Sequence, residues 1–133
     1  MADENKKKLI LVVEDEKILS DTLRERLMAE GFDVVNAYDG LEFLQLALEK
    51  HPDLILLDIL LPKVDGITML KKLREDPWGA HASVIILTNV SDISKMAEGM
   101  ESGFDGTYEY LVKTNWSIVG IISKVKNRLK IKS

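Results

Sequence analysis

The sequence predicts an α/β fold: a doubly wound, five-stranded parallel sheet with helices on both faces. Three observations carry that expectation. The runs Leu9-Ile10-Leu11-Val12-Val13, Leu54-Ile55-Leu56-Leu57 and Val84-Ile85-Ile86-Leu87 are continuously apolar and short, as strands buried on both faces should be. Between the strands, apolar residues recur at helical spacing, so strand and helix alternate, and right-handed crossovers then favour a parallel sheet. Each apolar run also ends in a polar residue: Glu14-Asp15, Asp58 and Thr88. Open α/β sheets bind their ligands beyond the carboxyl ends of the strands, so these residues mark a site.

The elements follow in order. The polar opening, Met1 to Lys8, reads as a frayed terminus (residues 1–7 flexible) whose lysines guard the apolar run behind them. Strand one, Leu9 to Val13, ends in Glu14-Asp15-Glu16. Leu19, Leu23 and Leu27 lie four apart on a first helix, and Gly31 stops it. Phe32 to Ala37 is a strand with weaker burial, and Asp39-Gly40 turns the chain into a helix with Leu41, Leu44, Ala47 and Leu48 on its apolar face. His51-Pro52 ends that helix. After the third strand and Asp58, Asp65 can cap a helix carrying Ile67, Leu70 and Leu73, which stops before Asp76-Pro77. Trp78 to His81 reads as a loop. The fourth strand ends in Thr88, and Ser91 caps a helix through Ile93, Met96, Ala97 and Met100, closed by Gly103. Tyr108 to Val112 is the fifth strand, followed by Lys113, and Thr114 or Asn115 begins a last helix with Ile118, Ile122, Val125 and Leu129 on one face.

At 133 residues the chain is expected to be one domain, 1–133, large enough for a real core. Five units suit an open sheet rather than an eight-unit barrel. The flavodoxin-like order 2-1-3-4-5 sets strands one and three side by side at the switch point. Glu14, Asp15 and Asp58 would then meet in one crevice, with Thr88 and Lys113 on neighbouring strand ends.

Composition narrows the function. Hydrophobic residues are 46% and charged residues 30%, the balance of a globular protein. A net charge of -4 argues against a nucleic-acid footprint, which calls for a basic patch. No apolar run approaches the ~20 residues of a membrane span, and no signal peptide opens the chain. Cysteine is absent, which excludes thiolate and disulfide chemistry and suits a cytoplasmic location.

Three carboxylates in one crevice repel unless positive charge sits among them. Mg²⁺ is the natural answer, since it takes one or two carboxylates with waters and substrate phosphate. With Lys113 and one Mg²⁺ the formal charges of the site sum to zero. Such a site is poised to accept a phosphoryl group, with a carboxylate as the attacking atom. No glycine-rich phosphate loop competes, because Asp39-Gly40 and Asp65-Gly66 are turns, and His51 and His81 fall in loops without ligand partners. Each residue has a bland counterpart: Glu14 and Asp15 could serve the first helix dipole, Thr88 could be a plain strand end and Lys113 a surface lysine. Asp58 has little structural excuse. Trp78 and Trp116 read as packing residues.

Glu14-Asp15 after strand one, Asp58 after strand three with Pro62 and Asp65-Gly66 beyond, Thr88 after strand four, and Tyr110 three before Lys113 resemble the receiver domain of bacterial two-component response regulators. The resemblance covers nearly the whole chain. It implies a phosphoacceptor rather than an enzyme: a sensor histidine kinase or phosphotransfer protein donates to Asp58, with Mg²⁺ held by Glu14, Asp15, Asp58 and the main-chain carbonyl of Leu60. Lys113 and Thr88 would bind the phosphoryl oxygens. Tyr110 would turn inward behind Thr88, changing the face formed by the fourth helix, fifth strand and last helix for a downstream protein target; the same face could serve a homodimer.

The chain departs from that family in places. Thr114 stands where proline usually follows the lysine, and Asn89 where alanine or glycine is general. The stretch from Gly103 to Lys113 is longer than usual. Leu60 and Val90 occupy the two positions that tune hydrolysis, and neither can orient a water, so self-dephosphorylation is expected to be slow. The chain ends shortly after the last helix, so output through a protein contact or a further phosphoryl transfer is expected, with no direct nucleic-acid binding and no membrane insertion. A flavin-type cofactor module and a scaffold that signals without phosphorylation are the competing readings; flavin absorbance or absent phosphoryl uptake would favour them.

Overall fold

Parallel pairing of apolar strands builds the centre of the molecule. The computed structural model describes residues 7–58, 66–88, 108–112 and 117–129. Among them β1 (Leu9–Val13) pairs in parallel with β2 (Asp33–Ala37) on one side and β3 (Leu54–Asp58) on the other. β4 (Val84–Thr88) and β5 (Tyr108–Val112) extend the sheet beyond β3, giving the order β2-β1-β3-β4-β5. The expected flavodoxin-like order is the observed one.

Alternation along each strand sorts the core into two layers. Leu11, Val13, Ile55, Leu57, Val84 and Ile86 point to one face, where α2 (Gly40–Lys50) and α3 (Gly66–Arg74) cover them with Phe43, Ala47, Met69, Leu70 and Leu73. Ile10, Val12, Leu54, Leu56, Ile85, Leu87 and Leu111 point to the other. There Leu23 and Leu27 of α1 (Lys17–Ala29) meet Ile121, Ile122 and Val125 of the C-terminal helix (Ile118–Arg128). Truncating such a fully enclosed leucine to alanine costs about 2–5 kcal/mol, so each layer is a large share of a marginal total.

Local chemistry sets the helix ends. Gly31, at φ +98°, follows α1 and takes a left-handed conformation that glycine adopts without penalty. Asp39 accepts from the Glu42 N–H at 2.9 Å while Glu42 accepts from the Tyr38 N–H at 2.8 Å, a reciprocal cap at the start of α2. The C-terminal helix starts later than Thr114 or Asn115: Ser117 is its N-cap and accepts from the Gly120 N–H at 3.1 Å.

The face of α2 also differs from the expected stripe. Phe43 and Ala47 are buried, Leu44 is partly so, and Leu41 and Leu48 are 52% and 37% exposed. Turning the phenyl ring inward removes more apolar area from water than turning Leu41 inward, so Phe43 sets the rotation. Trp78 to His81 is more ordered than a plain loop, since Gly79–His81 forms a 3₁₀ turn. Asp76 accepts from the Trp78 and Gly79 N–H groups, both at 2.9 Å, and Arg74 donates to the carbonyls of Gly79 (2.7 Å) and Ala82 (2.8 Å). Residues 1–6, the Asp65 cap, and the helix expected from Ser91 to Gly103 lie outside the described residues.

Gly79 sits against α3 so closely that an added Cβ would lie 2.0 Å from the Leu73 carbonyl oxygen. Gly79→Ala is therefore expected to destabilise by about 1–3 kcal/mol, read as a lower urea midpoint with an unchanged slope.

Candidate functional site

The carboxyl ends of β1 and β3 bring the site together. Val13 pairs with Leu57 and with Ala37, so the residues that follow, Glu14 and Asp58, emerge side by side. The Glu14 N–H donates to the Ala37 carbonyl at 3.0 Å, extending the β1–β2 ladder one residue past β1. By strand alternation Glu14 and Asp58 both continue the rows of Ile10, Val12, Leu54 and Leu56. Glu14 also accepts from the Glu16 N–H at 3.2 Å, which turns its carboxylate toward the start of α1.

Glu14, Asp15 and Asp58 each offer a carboxylate oxygen, and these oxygens lie within 4.8 Å of one another. Glu14 and Asp58 are buried at 1% and 5% exposure, whereas Asp15 is open to solvent. Like charges this close repel by on the order of 1 kcal/mol per pair even at the dielectric of water, and by more where water is excluded. Hard oxygen donors on a rim that is half dry and half wet fit a small divalent cation that keeps some of its waters. Octahedral Mg²⁺ ligands stand about 3–4 Å apart, so small side-chain rotations would close the set.

The other expected site residues are placed by backbone alone or fall elsewhere. Thr88 closes β4 opposite Val112, and Tyr110 pairs with Ile86. Lys113, Leu60, Asn89, Val90, Thr114 and Trp116 lie outside the described residues. His51 lies with Trp78 at the opposite end of the sheet, their rings stacked at 4.3 Å and 5° between planes. Trp78 packs against the α2–α3 layer, as a packing residue should.

With the geometry in place, comparison with known proteins decides the family. The family profile described as response regulator receiver domain matches residues 10–123. The chain belongs to that family. The DNA-binding dual master transcriptional regulator RpaA of Synechocystis is 36% identical over 121 residues, which are 91% of this chain and 48% of that protein. The response regulator PleD of Caulobacter vibrioides is 38% identical over 94 residues, 71% of this chain and 21% of PleD. The chain thus spans less than half the length of these curated relatives. Among solved structures, the receiver domain of Francisella response regulator 1452 superposes with a TM-score of 0.77 at 32% identity, covering 93% of this chain and 98% of that one. A CheY-like receiver domain protein of Methanospirillum hungatei gives a TM-score of 0.80 at 25% identity, covering 94% and 95%. Receiver domains of this family are phosphoacceptors of two-component systems rather than enzymes with separate substrates, and Mg²⁺ binding is typical of them. Among the described residues no helix is long and apolar enough to cross a membrane.

A cation held by the three carboxylates stabilises only the folded receiver. Mg²⁺ at about 100 times its dissociation constant is expected to add about 2.7 kcal/mol to stability. Thermal melts with and without Mg²⁺ check this: the rise should be lost in Asp15→Asn, and an equal rise in both proteins would place the cation elsewhere.

Proposed function

We propose that this receiver domain accepts a phosphoryl group on Asp58 from the phosphohistidine of a sensor kinase or a phosphotransfer protein. The observation that supports this most is a 5% exposed carboxylate at the end of a fully buried strand, gathered with two further carboxylates within 4.8 Å. A buried acid cluster opposes folding, so a compensating chemical role is the economical account.

In this reading an Asp58 carboxylate oxygen forms the new bond to phosphorus as the P–N bond to the donor imidazole breaks. The imidazole nitrogen keeps the electron pair, and with its other ring nitrogen protonated the donor leaves as neutral histidine. Glu14 and Asp15 would hold Mg²⁺ together with Asp58 and the main-chain carbonyl of Leu60. When bound, the ion would supply positive charge beside the phosphoryl oxygens. The Lys113 ammonium and the Thr88 hydroxyl would take the remaining oxygens, and their places in the chain, directly after β5 and at the last residue of β4, accord with that. Tyr110 would follow Thr88 inward and alter the surface beside β5 and the C-terminal helix, where a protein target would read the change.

The DNA binding in RpaA's name belongs to that protein. The net charge of -4 on this chain favours a protein partner over a nucleic acid. A cytoplasmic location agrees with a kinase donor and with the absence of cysteine.

Intact mass after incubation with acetyl phosphate tests the reading. One phosphoryl group should be gained, only with Mg²⁺, and Asp58→Asn should gain none; a folded wild-type protein that takes up nothing from acetyl phosphate or from a phosphorylated donor would refute it.

Apolar Leu60 and Val90 cannot orient an attacking water, so loss of the phosphoryl group should be slow. Introducing polar side chains at both positions, as in Leu60→Asn with Val90→Glu, is expected to speed the decay roughly tenfold or more, followed by the same mass measurement.

A further inference from the structure

We infer that Asn36 and Ser20 form a positioning pair that holds the Glu14–Glu16 turn in place, at some expense in stability. The inference rests on the reading of Glu14, Asp15 and Asp58 as a cation site. Ser20 lies on α1 and is fully buried, on a helix whose other buried residues are Leu23 and Leu27. The Asn36 side-chain amide, on β2, donates to the Ser20 hydroxyl at 2.6 Å and approaches the Ser20 carbonyl at 3.4 Å.

These two residues complete a ring of hydrogen bonds that runs through the acid turn. The Ser20 N–H donates to the Glu16 carbonyl at 2.9 Å, and the Glu16 N–H donates to the Glu14 carboxylate at 3.2 Å. The Glu14 N–H then donates to Ala37, the residue bonded to Asn36, at 3.0 Å. Leu23 and Leu27 hold α1 to the sheet by apolar contact, which has no direction and tolerates sliding. The far end of α1 is tied elsewhere, by Glu30 to Lys126 of the C-terminal helix at 2.7 Å. Near the site, the Asn36–Ser20 bond is therefore the directional link from α1 to β2 among the described residues.

Stability does not explain the pair. The Asn36 Oδ1 is buried with no hydrogen-bond partner among the described residues. A polar group in that state costs more than the bond at its other end returns. Turning the amide over would let the Ser20 hydroxyl donate to Oδ1 but would leave Nδ2 in the same position. The neighbouring Val34 and Val35 show that β2 accommodates a β-branched apolar side chain. What the amide adds is a fixed height of the first turns of α1 relative to β2, and so a fixed place for the Glu14 carboxylate.

Mn²⁺ binding, followed by the electron paramagnetic resonance of the free ion, and metal-free thermal melts test the pair in Asn36→Val, Ser20→Ala and the double variant. Asn36→Val is expected to melt at or above the wild-type temperature and to bind Mn²⁺ roughly 3–10-fold more weakly. The double variant should bind no more weakly than the worse single, because both substitutions open the same ring. Unchanged affinity in Asn36→Val, additive losses in the double, or a loss of affinity that accompanies a lower melting temperature would each overturn the positioning role. A wild-type protein that binds no Mn²⁺ would instead remove the cation site itself, and the pair's role with it.

Discussion

Three negative charges gathered at the end of a strand that has no exposed face are the constraint to which the rest of the molecule answers. Every residue of β3 is buried. Sliding the strand by one residue would draw the Asp58 carboxylate in among apolar side chains, where an unpaired charge costs several kcal/mol. Asp58 therefore fixes the register of β3 as much as the register presents Asp58. β1 is bound to the same register through Val13 and Leu57, and Glu14 comes into place beside Asp58 as a result. The carboxylate cluster is thus a consequence of parallel pairing between two in-register strands, and its cost is met by the two apolar layers that the same strands carry.

Those layers differ in what they can specify. Around Phe43, Leu70 and Leu73 the packing is almost purely apolar, and a tight approach at Gly79 locks α3 to the turn that follows. Across the sheet, α1 must do more than cover the core, because its first residue follows directly on the acid turn. Leucines cover surface well but do not choose a position along the helix axis. The buried Ser20 and its partner Asn36 supply that choice, and a purely apolar contact would leave it open. A site of this kind is where local stability and function pull in opposite directions.

Membership in the receiver family joins this chain to longer proteins, of which the match covers 48% in RpaA and 21% in PleD. The part matched in those relatives is the receiver domain, and each relative carries more chain beyond the match. What a receiver controls depends on the surface it offers a partner, and sheet topology does not set that.

Much of this protein was legible in its sequence. Short, unbroken apolar runs made the strands, their alternation with helical spacing made the sheet parallel, and a lone aspartate after Leu54-Ile55-Leu56-Leu57 pointed to the carboxylate cluster that is the candidate site, because neither helix nor core has a use for a charge there. These signals are one-dimensional: period, run length and a polar residue where the pattern forbids one. Other features needed the folded chain. Phe43 rather than Leu41 turned inward because its ring takes more apolar area out of water against the sheet, and Ser117 rather than Thr114 or Asn115 capped the C-terminal helix because its hydroxyl reached the Gly120 N–H. Ser20 and Asn36 gave no signal in sequence, since a serine among leucines and an asparagine in a strand are ordinary until sixteen residues of chain fold back and bring them to 2.6 Å. Hydrophobic pattern determines which residues leave water; only tertiary packing decides which of them meet.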